Sequence, residues 1–210
     1  MQAPAARSSR WDAHRAQRRR DMVAAAIEAI KRAGPAVTMD EIAAEAGVAK
    51  PVLYRVFRDK AELYRAVGSA VAGESLVPAL VAELQTPREP RAYVATMIDT
   101  YLRLIESEPQ LYRFVVHPVL DERPMDEDLV GTYKDVIAGH LAQVITVSLP
   151  RRDGDAARAE TWAHALVGMV HEAGDWWIEQ SSMTREQLCE QLTSLIWGGV
   201  SSALPASLLG

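Results

Sequence analysis

The stretch TMDEIAAEAGVAKPVLYRVFRDKAEL, residues 38–63, decides how this chain folds. Thr38 and Glu41 are spaced as a capping box, the hydroxyl accepting from one free amide at a helix start and the carboxylate returning to another. The helix they open turns Ile42, Ala43 and Ala46 inward and stops at Gly47, which reaches the left-handed backbone conformation without steric cost. A second short helix follows at once, with Pro51 in its first turn, where a missing N–H costs nothing. Leu53, Val56 and Phe57 form its inner face, leaving Lys50, Val52, Tyr54, Arg55 and Arg58 outside. Ala43 is small where the helices must approach, and Val48 fills the space beneath the turn. Two short helices around a tight glycine turn are the sequence form of a helix-turn-helix. The outer face suits a major groove: lysine donates to guanine O6 or N7, valine touches a thymine methyl, and tyrosine bonds a phosphate.

The charge distribution agrees. The 210 residues carry a formal charge of −5, against a general nucleic-acid coat, yet the balance is split. Residues 1–65 hold 13 Lys+Arg and 8 Asp+Glu, a net +5, so the remainder carries −10. Such asymmetry marks a polyanion-binding head on an acidic body. Arg7, Arg10, Arg15, Arg18, Arg19 and Arg20 crowd the first twenty residues. A solvated tail is the ordinary explanation of Arg7 and Arg10, whereas the arginines from Arg15 onward lead straight into a helix and suit phosphate contact. The candidate DNA-contacting set is therefore Arg18, Arg19, Thr38, Lys50, Pro51, Val52, Tyr54, Arg55 and Lys60.

The same run resembles the DNA-binding signature of TetR-family transcriptional regulators, in its IA..AGV turn, its LY..F recognition helix and the DKAEL that follows. The motif resemblance covers about Arg19–Leu63; beyond it the likeness is of layout, a three-helix head before an all-helical body ending in two long helices. It implies a homodimer on a palindromic double-stranded operator, a repressor released when a small molecule occupies the body. Two residues depart from the family pattern. Ala49 stands where Ser or Thr is usual, which removes a helix cap and a phosphate contact. Val56 replaces the aromatic or His that often precedes the Phe.

Helical periodicity continues through the chain, and the expected fold is all-α. Val23, Ala26, Ile27 and Ile30 define a first helix stopped by Gly34-Pro35, and Lys60 opens one running toward Glu74. Further helices are expected over Arg91–Glu106, Pro109–Val116, Asp126–Leu149, Asp155–Gln180 and Thr184–Ala203, with loops at Pro78, Pro87, Pro90, Pro118, Pro124, Pro150 and Gly154. The expected organisation is a flexible basic arm over 1–15, a helix-turn-helix head over 16–65 and a ligand-binding and dimerisation body over 66–210.

In the body, Asp155–Gln180 is apolar on more than one side, through Trp162, Leu166, Met169, Val170, Ala173 and Trp177, with Gly168 and Gly174 allowing close backbone approach. The last helix repeats the pattern with Leu188, Leu192, Leu195, Ile196, Gly199 and Ala203. Two such helices per subunit suit a four-helix interface about a two-fold axis. Trp162, His171, Asp175, Leu192, Ile196 and Gly199 are its candidates, with His171 and Asp175 as a salt-linked i,i+4 pair. Packing of both helices inside a monomer is the plain alternative. Met97, Tyr101, Phe114, Tyr133, Ile137, Leu166 and Trp176 are candidates to line a site for a mainly hydrophobic effector, with His117, Tyr101 or His164 orienting it. Core packing is the ordinary role of each.

Several classes fall away. One cysteine, Cys189, excludes an intrachain disulfide framework. His164 and His171 are seven residues apart, about 10 Å along a helix and too far for one ion, so no metal and no cofactor is expected. The acids at Glu106/Glu108, Asp121/Glu122 and Asp126/Glu127/Asp128 read as solvated charge, so no enzyme is expected. The arginine-rich start is too polar for a signal peptide, and the uncharged run Gln191–Gly210 carries too many Ser, Thr and Gly for a membrane span. A cytoplasmic protein is expected. The competing functional expectation is a helical carrier of an apolar metabolite without DNA binding; an enzyme using His117 or His171 is a third.

Overall fold

The computed structural model describes residues 5–84, 86, 89–117, 129–148 and 155–203, and every regular element among them is helical. In chain order these are α1 (Ala5–Ala33), α2 (Met39–Glu45), α3 (Lys50–Val56), α4 (Lys60–Val71), a π-helical turn (Ala72–Leu76), α5 (Val77–Leu84), α6 (Pro90–Ser107), α7 (Pro109–Val116), α8 (Leu129–Ser148), α9 (Asp155–Gln180) and α10 (Arg185–Ala203). The chain forms two compact units, Met1–Val71 with Gln110–Glu127, and Ala72–Pro109 with Asp128–Gly210. The first is larger than a head ending at residue 65, because it recruits α7 from the middle of the chain.

The head is built from short amphipathic helices with sharp stops. α1 ends as Gly34 takes a positive φ of +87° and its N–H donates to the Ile30 carbonyl at 2.8 Å. The capping box at α2 is complete: Glu41 N–H donates to the Thr38 hydroxyl at 3.3 Å, and Thr38 N–H to the Glu41 carboxylate at 2.7 Å. The Thr38 amide, and after it the Thr38 hydroxyl donating at 2.8 Å, hold the Glu41 carboxyl below the usual range. Gly47 makes the turn at φ +64°, and Val48 N–H closes it on the Ala43 carbonyl at 2.9 Å. Ile30, Val37, Ile42, Leu53, Phe57, Leu63 and Val67 then meet in one buried core. Each contributes about 1.5–3 kcal/mol by leaving water. Phe114 of α7 closes that core, its ring stacked on Tyr64 with centroids 4.1 Å apart.

Three expectations change here. Residues 5–15, expected as a flexible arm, are the first turns of α1. Pro78 and Pro90 do not mark loops: Pro78 is the second residue of α5 and Pro90 the first of α6. The helix from Lys60 does not end near Glu74 either. It passes through the π-helical turn into α5, whose second residue, Pro78, has no N–H to donate. Pro87, Pro118, Pro124, Pro150 and Gly154, the acids Asp121/Glu122 and Asp126/Glu127/Asp128, and the ends of the helix expected over Asp126–Leu149 lie outside the described residues. The run Lys60–Glu83 has the length and composition of a membrane span. Its first half, however, sends Leu63, Tyr64 and Val67 into the head core, as a soluble protein's helix does.

The second unit pairs α8 with α9 and α6 with α10. Ala138, Ala142 and Ala163 let α8 and α9 approach closely, with Leu141, Ile145 and Val167 around them. α6 meets α9 at Gly174, where a Cβ would stand 2.8 Å from the Tyr101 ring and 3.1 Å from Ile105, so only glycine fits. Gly168, expected to serve likewise, has open space beside it. Between α6 and α10, Arg185 bridges Asp99 and Glu106, the latter at 2.9 Å. Burial opposes its charge, but Asp99, Glu186 and Glu106 together hold its pKa above the ordinary arginine value. Trp177 ties the α9–α10 corner by donating its indole N–H to the Met183 carbonyl at 2.8 Å.

Candidate functional site

The two faces of α3 are sorted as a groove-reading helix needs. Leu53 and Phe57 are wholly buried, while Lys50, Pro51, Tyr54 and Arg55 are exposed. Val52, expected outside, is half-buried and packed against the head core. Val56, expected inside, is also half-buried. The N-terminus of α3 lacks a side-chain cap at Ala49, as the departure from Ser or Thr implies. Pro51 carries no N–H there, and the Val52 N–H already donates to the Ala49 carbonyl at 2.8 Å.

Lys50 leans back onto Asp40 of α2, with Nζ 2.8 Å from the carboxylate. That hydrogen bond holds the ammonium pKa above its ordinary value. The charge nearest the expected bases therefore starts with an internal counter-ion. Arg19 is more deeply engaged than a phosphate contact would be. It donates to Glu62 at 2.9 Å and to the Val56 carbonyl at 3.4 Å, and its guanidinium lies 4.5 Å from the Phe57 ring centroid. It acts as a staple between α1 and the end of α3. Glu62 receives it together with the Arg58 backbone amide at 2.9 Å; that amide, then Arg19, outweigh burial and hold the carboxyl below the usual range. Arg18 is exposed, Thr38 is exposed at the start of α2, and Lys60 is half-buried with Nζ 5.3 Å from the Tyr64 ring centroid.

The effector candidates divide between units. Met97, Tyr101, Tyr133, Ile137 and Leu166 belong to the second unit, with Tyr101 and Ile137 buried and the others half-buried. Phe114 and His117 both lie in the first unit, where Phe114 is core. Trp176 is 48% exposed and lines no interior of the protomer. Within the second unit, Tyr101 instead meets His171, Oη to Nδ1 at 3.1 Å, so His171 of α9 faces α6 of its own chain. His164, the third candidate to orient an effector, is exposed and lies 3.6 Å from Asp135.

The dimer candidates differ in exposure. Leu192 and Ile196 are buried with Leu188, on the face of α10 that packs within the protomer. Large apolar groups left outside on α9 and α10 are Met169, Trp176 and Leu195, the last 63% exposed, with Gly199 also exposed. Trp162 is half-buried beneath the Arg158 guanidinium, and Asp175 is half-buried. Period alone listed Leu195 beside Leu192; exposure was the missing signal.

A glycine-turned helix pair with a buried inner face and a cationic, phenolic outer face defines a helix-turn-helix DNA-binding protein. The family model "Bacterial regulatory proteins, tetR family" matches residues 22–67, and "Tetracyclin repressor-like, C-terminal domain" matches residues 79–206. The chain belongs to the TetR family of transcriptional regulators. It is 32% identical over 200 residues to the HTH-type transcriptional regulator Rv0472c of Mycobacterium tuberculosis, covering 95% of this chain and 84% of that one. It is 29% identical to the HTH-type transcriptional activator FasR of Mycolicibacterium smegmatis over 190 residues, 89% of this chain and 84% of the relative. A tetR-family regulator from Streptomyces coelicolor shares the fold with a TM-score of 0.69 at 20% identity, over 91% of this chain and 85% of that one. FadR from Bacillus subtilis, solved with stearoyl-CoA, gives a TM-score of 0.62 at 17% identity, over 85% and 97%. AibR, solved with isovaleryl coenzyme A and operator DNA, gives 0.59 at 17%, over 85% and 97%. The matched relatives are regulators, not enzymes.

Proposed function

We propose that this regulator acts as a homodimer that holds a palindromic operator through α3 and is released from it by an apolar-tailed effector, an acyl-coenzyme A thioester. The observation that carries the DNA half is the sorting of α3, with Leu53 and Phe57 buried and Lys50, Tyr54 and Arg55 outside. Two such helices, one per subunit, reach successive major grooves when held about 34–36 Å apart. Lys50 and Arg55 supply donors for guanine edges, and Tyr54 and Lys60 for phosphates. Thr38 and Pro51 border the same surface.

The effector half rests on the ligands named with FadR and AibR. It also rests on the apolar and aromatic groups of the second unit: Met97, Tyr101, Tyr133, Ile137 and Leu166. The chain passes from head to body at Val71–Ala72, where the π-helical turn begins, and at Pro109–Gln110, where α7 continues toward Phe114 in the head core. A ligand that repositions the body-side helices acts on both crossings. Moving the population from 99:1 to 1:99 takes about 5.5 kcal/mol of differential affinity, shared between two sites. Dimerisation is assigned to Met169, Trp176, Leu195 and Gly199 on α9 and α10, in a cytoplasmic protein.

Fluorescence anisotropy tests both halves. A palindromic duplex selected from a random pool should bind, and stearoyl-CoA or isovaleryl-CoA should release it. The double variant Lys50→Ala, Tyr54→Phe should lose the duplex; unchanged affinity would refute the assigned face. FasR is named an activator, and a duplex held more tightly when stearoyl-CoA binds would give this chain that sign.

A further inference from the structure

α1 is far longer than the head needs. It spans 29 residues, roughly 43 Å at the usual rise, but the first buried side chain among those described is Met22. Every described side chain from Trp11 to Asp21 is exposed, apart from the half-buried Arg19. A helix that packs on nothing for several turns lacks the tertiary burial that stabilises most helices. Trp11 is the only large apolar group on that protrusion and is 68% exposed. Residues 5–20 hold six arginines against one acid, Asp12.

The placement of these groups is specific. Trp11, Arg15, Arg18 and Met22 follow one another at four, three and four residues, one stripe along the helix. Met22 turns this stripe into the head core, so the arginines and tryptophan continue the side of α1 on which the other head helices pack. Arg19, one residue around from Arg18, is fixed to the Val56 carbonyl at the last residue of α3. Arg15 and Trp11 stand about 6 and 12 Å farther along the α1 axis from that anchor. On the other flank, Gln17 bonds Asp21 at 2.7 Å and Arg20 at 2.5 Å, a self-contained polar row.

We infer that the protruding turns of α1 are a second DNA-contacting element, laid along the duplex flanking the site that α3 reads. Arg15 and Arg18 take phosphates, and Trp11 lies against sugar edges in the adjoining minor groove. Duplex DNA fits the row because two cations lead from the Arg19 anchor at the end of α3 to one flat ring. A membrane surface would call for a broad apolar face, which one tryptophan does not make. The inference rests on the proposed entry of α3 into the major groove, and the two fail separately.

The experiment compares two duplexes carrying the same selected palindrome, one ending at the half-sites and one extended by about eight base pairs each side, enough for the roughly 20 Å protrusion. Full-length protein should bind the extended duplex roughly tenfold more tightly, with the added phosphate contacts steepening the salt dependence. Arg15→Ala with Arg18→Ala should remove that gain and flatten the salt slope by about two units per subunit. Trp11→Phe should keep the fold and remove the DNA-induced quenching contributed by the head's single tryptophan. Equal affinity for both duplexes would overturn the inference and leave the helix-turn-helix intact, whereas failure on both duplexes would remove the parent reading as well. A changed oligomeric state in Trp11→Ala, or binding of the protein to anionic phosphatidylglycerol vesicles without any flank gain, would assign the stripe elsewhere and refute it.

Discussion

Head and body are both helical, yet they take their order from different sources. In the head, each short helix has one apolar side, and the turn residues fix where it starts and stops. Leu53 and Phe57 have nowhere to go but inward, so Lys50 and Tyr54 face out. In the body, α9 and α10 are apolar around much of their circumference, and which side meets the protomer is settled by α6 and α8. Leu192 and Leu195 are the same residue type on one helix, one 6% and the other 63% exposed. Local chemistry decides an element with one possible face; neighbours decide an element with several.

The largest expected effect breaks the head alone. Leu53→Ala or Phe57→Ala should destabilise it by about 3–5 kcal/mol and abolish operator binding, while circular dichroism still reports the helices of the body. Loss of all helicity would mean that the units are not energetically separable. Next comes the contrast on α10. Leu192→Ala should cost about 2–5 kcal/mol of protomer stability and leave the oligomer unchanged in sedimentation. Leu195→Glu should instead dissociate the proposed dimer with little change in the protomer's own melting, since buried unpaired charge is expelled from an interface. If the two variants exchanged these outcomes, the assigned faces of α10 would be reversed.

Smaller effects sharpen the head's electrostatics. Lys50→Ala should relax base preference by about 1–3 kcal/mol at one position of each half-site, read by competition among duplex variants. Asp40→Asn frees Lys50 from its counter-ion, and should raise affinity for random duplex and steepen the salt slope by about one unit. The smallest is a pH effect. Glu62 is held below its ordinary pKa in the folded head, so its contribution is full above the unfolded value and is lost as pH falls through the folded one. Melting of the wild type should therefore weaken in that acidic window more than melting of Glu62→Gln, which has no charge to lose.

Much of the head was legible because its signals are chemical and local. The Thr38–Glu41 box, the positive φ of Gly47 and the missing cap at Ala49 all follow from residue type within a few positions. Even there, Arg19 shows the limit. As a cation before a helix-turn-helix it reads as a phosphate contact, and only its place beside Phe57, Glu62 and Val56 makes it a staple. Phe114 is the sharper case. It sits between body helices in the chain, but its ring stacks on Tyr64 of the head, and no periodicity within α7 announces that partner.

From its residues alone, then, the chain determined that it is all helical, where most helices start and stop, and that residues 38–63 form a DNA-reading pair in a TetR-family protein. Helix period and turn chemistry are written within a few neighbouring positions. Only the tertiary structure decided that His171 meets Tyr101 and that Trp176 and Leu195 remain outside. It also decided that α7 belongs with the head. The reason is that an apolar side chain carries no address: burial rewards any close partner equally, and the partner is chosen by the arrangement of helices distant in sequence.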